Sequence, residues 1–152
     1  MPGIWTCVGS AFVPDEDSAG KYEFSAARFR HKGINIGTIS ACCNVTNPLD
    51  NGESDPNWNN LEVIYYNQKE TNQVKVELIR VSNENGGIWT MATFESTTTN
   101  KDCQPGRVSF DRSFNFLDFA YYVKITVKRT STAEENNPCV CIVRLSHIDD
   151  IF

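Results

Sequence analysis

From Phe119 to Lys128 the chain alternates without a break. Phe119, Tyr121, Val123, Ile125 and Val127 fall on one parity, and Ala120, Tyr122, Lys124, Thr126 and Lys128 on the other. Side chains in a strand change faces at every residue, so this pattern demands a long strand with one buried and one wet side. A helix would scatter both sets around its axis. The rest of the chain must supply a second apolar layer for the buried face.

Composition agrees with that demand. Val and Ile together number 23, against 13 for Leu and Ala, and Thr adds 12. β-branched side chains are stiff at χ1 and suit a pleated surface better than a helix. Fifteen Asn and nine Gly supply turns. No stretch shows the i, i+3, i+4, i+7 apolar stripe of an amphipathic helix. Alternating segments are expected at Ile4–Val8, Tyr22–Phe29, Ile34–Thr46, Leu61–Tyr66, Gln73–Val81, Ile88–Glu95, Val108–Phe110 and Cys139–Ile148. Turn signals separate them, the strongest being Asn83-Glu84-Asn85-Gly86-Gly87. Eight to ten short strands in 152 residues predict an all-β, single-domain antiparallel β-sandwich over 1–152, jelly-roll-like in its connections. Phe114, Phe116 and Phe119 are expected to plug one end around a buried Asp118, and the apolar terminal Phe152 to dock.

The formal net charge is −5 and the basic residues are dispersed. A phosphate backbone is bound by clustered Lys and Arg, which argues against nucleic acid as a partner. No apolar run reaches the ~18 residues of a membrane span, which argues against insertion. Six cysteines point to an extracellular or cell-surface setting. Met1–Trp5 has no signal-peptide pattern, so a leader removed earlier or a cytoplasmic setting stays open. Cys7, Cys42, Cys43, Cys103, Cys139 and Cys141 are all disulfide candidates, with 15 complete pairings that sequence does not separate. Neither the Cys-Cys nor the Cys-x-Cys spacing matches a zinc knuckle.

Catalytic constellations are thin. His31 and His147 are the two histidines, and no nucleophile elbow, zinc-helix motif or phosphate-cradling loop is present. Two acidic loops offer hard oxygen ligands suited to calcium, with Asp15 and Asp17 in one and Asp50 and Asp55 in the other. No other cofactor is expected. Aromatic placement is the stronger signal. Tyr65-Tyr66 and Tyr121-Tyr122 each send one ring inward and one outward, which leaves Tyr66 and Tyr122 on wet faces. Trp58 sits in an Asn-rich loop, and Trp89, on the parity opposite to Phe94, follows the hairpin turn. Exposed Trp and Tyr combine an apolar body with a polar handle, which suits sugar rings and protein interfaces alike.

Three functions are compatible with these features. The first is a non-catalytic sandwich acting by surface contact, in self-assembly or as an extracellular structural or interaction module. The second is a carbohydrate-binding module using Trp58, Tyr66, Trp89 and Tyr122. The third is a hydrolase whose paired carboxylates converge only in three dimensions. Protein or self-association is the favoured partnership, with glycan as the alternative.

Overall fold

A computed structural model of the chain describes residues 3–96, 99, 102–132 and 137–151. The expected docking of Phe152 lies outside the described residues, as does Glu134–Asn136 of the last loop. Eleven strands form among those described: β1 (Trp5–Val8), β2 (Val13–Pro14), β3 (Tyr22–Ser25), β4 (Arg28–His31), β5 (Gly37–Val45) and β6 (Asn60–Tyr66), followed by β7 (Gln73–Ser82), β8 (Ile88–Glu95), β9 (Gln104–Ser109), β10 (Phe119–Arg129) and β11 (Cys139–Ser146).

They assemble into two antiparallel sheets. One runs β2-β5-β10-β7-β8; the other runs β3-β4-β11-β6-β9, with β1 also paired to β11. Consecutive strands β5 to β6, β6 to β7, β8 to β9, β9 to β10 and β10 to β11 each cross between the sheets, the connectivity of a jelly-roll-like sandwich. The alternating stretch is β10, the centre of its sheet. Val123 lies between Cys43 of β5 and Leu78 of β7, and Ile125 between Ala41 and Val76. Val123, Ile125 and Val127 are fully buried against Leu61, Val63, Val140, Val143 and Leu145 of the other sheet. Burial of each such aliphatic side chain contributes roughly 1.5–3 kcal/mol, so the two facing rows account for most of what holds the layers together. Apolar residues on both parities of β11 reflect its inner position, between β6 on one side and β1 and β4 on the other.

Several local expectations are corrected. Tyr22–Phe29 is not one strand: it folds back at Ala26-Ala27, whose φ values of 51° and 66° make a two-residue hairpin turn between β3 and β4. Two alanines give no composition signal for positive φ, which usually marks Asn or Gly. Ile34 and Ile36 are 52% and 61% exposed because β5 begins only at Gly37. Asp118 is exposed rather than buried, and its carboxylate accepts from Asn115 Nδ2 at 2.9 Å. The Asn83–Gly87 turn forms as expected, with Gly86 at φ 70°. Gly9 is buried where β1, β4 and β11 meet, and a Cβ there would collide with the backbone of Ala27, Phe29 and Val140.

The two ends of the sandwich are closed differently. Near the end of β10, polar groups do it: His31 Nε2 donates to the Val127 carbonyl at 2.9 Å, and Arg129 donates to the carbonyls of Gly33 and Ser131 at 2.7 and 2.6 Å. Near the start of β10 the closure is aromatic.

Candidate functional site

The aromatic end is built from the segment before β10. Phe114 is buried, its ring 4.5 Å from Tyr121 and 5.1 Å from Trp58, the latter edge-on at 86°. Phe116 stacks on Phe114 at 5.8 Å and meets Tyr121 at 5.0 Å. The Tyr121 hydroxyl accepts the Asn115 N–H at 2.7 Å. Burial pushes the Tyr121 phenol above its ordinary value, against the Asn115 hydrogen bond and the charge of Arg80.

Trp58 belongs to this plug. It is 2% exposed, and its indole N–H donates to the Gly3 carbonyl at 2.7 Å. The expectation that it presents a binding face is therefore wrong. Its Asn-rich surroundings misled, because the loop folds the ring inward as a lid on the core.

The file of rings continues outward. Phe119 lies 6.5 Å from Tyr121, the Arg80 guanidinium stands 4.3 Å from the Phe119 ring centre, and the same guanidinium stands 4.7 Å from Trp89. Arg80 Nε is buried and has no hydrogen-bond partner among the described residues. Its cationic plane is thus held by π-faces, an attraction of about 0.5–2 kcal/mol per ring depending on exposure. Trp89 ends the file at 50% exposure.

A β-bulge puts it there. The β7–β8 register slips between Leu78 and Ile79, so Phe94 opposes Val76, Ala92 opposes Leu78 and Trp89 opposes Arg80. All three β7 partners share one parity, so Trp89 lies on the same sheet face as Phe94, contrary to simple counting along the strand. It stands close to the hairpin, one rung before the final pair Val81–Ile88, and is half exposed there.

Beside the stack lies a cleft of about 320 Å³ lined by Ser82, Asn83, Glu84, Leu117, Asp118 and Phe119. Ser82 opposes Phe119 across the sheet. The cleft is held by two hydrogen bonds from Asn83, its N–H to the Asp118 carbonyl at 2.9 Å and its Nδ2 to the Leu117 carbonyl at 3.1 Å. Leu117, which lines the cleft, is 71% exposed, and Ile88, next to Trp89 in β8, is 63% exposed. A flat ring, a fixed cation and a polar cleft with two carboxylates, Glu84 and Asp118, are thus gathered on one edge.

The remaining predicted residues are placed elsewhere. Tyr122 is half-buried on the outer face of the five-stranded sheet, between Asn44 and Ile79. Burial pushes its phenol up, aided by Cys42 and Glu77. Tyr66 lies on the outer face of the other sheet, its hydroxyl donating to Gln68 Oε1 at 2.6 Å. The four aromatic candidates therefore do not form one platform. Asp15 caps a single 3₁₀ turn, accepting the Ser18 N–H at 3.0 Å. Asp55 accepts the Asn57 N–H at 2.8 Å beside a cleft of about 280 Å³ that Asp111 and Arg112 also line. Among the described residues, no group of three His, Cys, Asp or Glu side chains is placed to hold a metal ion, and Asp15, Asp17, Asp50 and Asp55 do not gather into one. A larger cleft, about 530 Å³, opens between β8 and β9, but its rings, Tyr65 and Phe94, are buried under Gly106 and offer no open face.

Sequence reasoning passed over Arg80, Asn83 and Glu84. The signal for Arg80 was present: counting outward from the Asn-Gly turn places it opposite Trp89.

All six cysteines are thiols. Cys7 Sγ lies 2.9 Å from Cys43 Sγ, joining β1 of one sheet to β5 of the other, and Cys103 Sγ lies 3.4 Å from Cys141 Sγ. Cys42 faces outward beside Val13 and Lys124. Among the described residues no helix is long and apolar enough to cross a membrane.

No family model matches the chain, and no curated protein does. Several solved structures are similar to it along most of its length. A low-affinity xylan-binding module of carbohydrate-binding family 86 from Roseburia intestinalis is 10% identical over 95% of both chains, with a TM-score of 0.49. A family 36 module of a multidomain xylanase, from the hindgut metagenome of Trinervitermes trinervoides, is 9% identical, covering 95% of this chain and 97% of that one, at 0.48. A family 11 module from Clostridium thermocellum, solved with a mixed-linked β-1,3-1,4 tetrasaccharide, is 10% identical over 95% and 88% of the two chains, at 0.45. At these scores and identities the likeness assigns neither ligand nor activity to this chain.

Proposed function

We propose that this sandwich is a carbohydrate-binding module that seats a sugar ring on Trp89. One observation carries the reading: Trp89 is half exposed yet held from beneath by Arg80, which is itself clamped by Phe119. A platform fixed before binding loses little side-chain freedom when a ligand stacks on it. The C–H face of a pyranose packs on such a ring, and its hydroxyls need polar partners nearby. Ser82, Asn83, Glu84 and Asp118 supply donors and acceptors in the adjoining cleft. Two carboxylates at the rim favour neutral sugars over acidic ones. An extracellular or cell-surface location goes with this reading.

The test is affinity electrophoresis and calorimetry against soluble neutral polysaccharides, with wild type and Trp89→Ala compared. Retardation by at least one polysaccharide, lost in Trp89→Ala, supports the reading. Binding that survives Trp89→Ala moves the site elsewhere, and a broad panel with no binding overturns it.

A second reading rests on Ile88 and Leu117, large apolar side chains exposed at the same end of the sandwich. With Trp89, these two would equally suit contact with a protein or a second copy of the chain. Concentration-dependent association by sedimentation, abolished by Ile88→Lys, favours that reading over the sugar.

A further inference from the structure

Three of the six cysteines converge on one place, away from the Trp89 stack. Cys141 occupies the bulge of β11, between Val140, which opposes Tyr65, and Ile142, which opposes Ile64. The extra residue frees Cys141 from the regular ladder. Its Sγ lies 3.4 Å from that of Cys103, in the segment entering β9, and it also hydrogen-bonds with Cys139 two residues upstream. One sulfur therefore has a partner on each side. Arg28, at the exposed start of β4, faces all three, and their negative charge would reinforce its own.

We propose that Cys103, Cys139 and Cys141, beside Arg28, form a thiol–disulfide exchange site that takes its oxidising equivalents from a small disulfide of the glutathione class. Cys103 and Cys141 are half-buried and open to a small reagent, whereas Cys139 is 3% exposed and sheltered beneath them. The Cys103 thiolate attacks one sulfur of the small disulfide, and a mixed disulfide forms as the first small thiolate leaves and takes a proton. Cys141, giving its proton to solvent, then attacks Cys103 Sγ and expels the second small thiolate. Two protein thiols have lost two electrons and two protons, and one small disulfide has become two thiols. Cys139 can next attack Cys141 Sγ, releasing Cys103 as a thiolate with no net redox change. Cys139 suits that role. It is held below the ordinary thiol value, chiefly by its hydrogen bond with Cys141 and further by Arg28, against the effect of burial.

Cys7 and Cys43 make a contrasting pair. Their sulfurs are closer, at 2.9 Å against the ~2.05 Å of a bond, but they lie between the sheets, where Cys7 is 6% exposed and offers a small disulfide little access. Their bond, once made, would clip the layers rather than exchange.

The experiment equilibrates the folded protein in oxidised and reduced glutathione, quenches with acid, alkylates in denaturant and maps peptides without reduction. The expected result is Cys141 linked partly to Cys103 and partly to Cys139, with Cys42 alkylated as a free thiol. In Cys103→Ser, the Cys139–Cys141 bond should replace the mixture. Arg28→Gln, at an exposed position, should slow oxidation of the cluster on the order of tenfold and raise the pH midpoint of Cys139 alkylation, with Arg28→Lys restoring both. Cys141 recovered wholly as a free thiol in a buffer that oxidises Cys7 and Cys43 overturns the proposal. So does a Cys103→Ser protein in which Cys139 and Cys141 both stay reduced. An Arg28→Gln rate and midpoint equal to wild type remove Arg28 from the site.

Discussion

Trp58 and Trp89 belong to the same file of rings at the same end of the sandwich, and their surroundings are opposite. Trp58 meets Phe114 and Phe116 edge-on, donates its N–H to Gly3 and is sealed from water. Trp89 leans on Arg80 and leaves half its surface open. Between them run Phe114, Tyr121, Phe119 and Arg80, so the open ring is anchored to the core through continuous contact. The difference teaches that an aromatic side chain's role is set by what covers it. Phe114, Phe116 and the backbone of Gly3 close over Trp58, whereas Trp89 stands beside the hairpin with half its surface open.

The sharpest way to break this contrast is to truncate both rings. Trp58→Ala should lower unfolding free energy by about 3–5 kcal/mol, because a buried ring and its partners leave a cavity and an unpaired Gly3 carbonyl. A urea melt measures it, and a loss below ~1 kcal/mol would mean that the plug does not close the core. Trp89→Ala should leave that melt within ~1 kcal/mol of wild type while weakening polysaccharide binding on the order of tenfold to a hundredfold, about 1.4–2.8 kcal/mol. Equal destabilisation by the two substitutions would erase the distinction between plug and platform.

Arg80→Gln sharpens the comparison further. It keeps some of the length but removes the charge between Phe119 and Trp89, and should cost about 0.5–2 kcal/mol in the melt. Binding should fall less than in Trp89→Ala, since the platform survives but is loosened; calorimetry would show the loss as a more unfavourable binding entropy. The smallest effect belongs to Tyr122→Ala. Tyr122 lies on the outer face of the same sheet, on β10 beside Tyr121, and outside the file. It should alter sugar binding by less than about twofold and stability by about 1 kcal/mol or less. A large binding loss there would shift the site onto the sheet face.

Much of the scaffold was legible in the sequence. The inward sets Leu61, Val63 and Tyr65, then Val74, Val76 and Leu78, then Val123, Ile125 and Val127 could each be read from period two, and each is buried. Alternation is a local property with a large energetic consequence, because a slip of one residue would turn every apolar side chain to water. The Asn-Gly turn was readable for the same reason, since its backbone preference resides in its own residues. The candidate site was only half legible. Trp89 could be picked out as an aromatic next to a turn, and Arg80 as its cross-strand partner by counting back from that turn, but the bulge that sets the face of Trp89 and the burial of Trp58 could not.

The sequence by itself determined that this chain builds two facing β layers, which faces of the long strands turn inward, and which residue types are available at the surface. Tertiary structure alone decided which tryptophan is sealed and which is open, that Cys7 meets Cys43 while Cys103 meets Cys141, and that the four acidic candidates stay apart. Period and turn chemistry act between neighbours along the chain. Coverage, bulge placement and sulfur-to-sulfur proximity arise between segments tens of residues apart, brought together only when the two sheets close on each other.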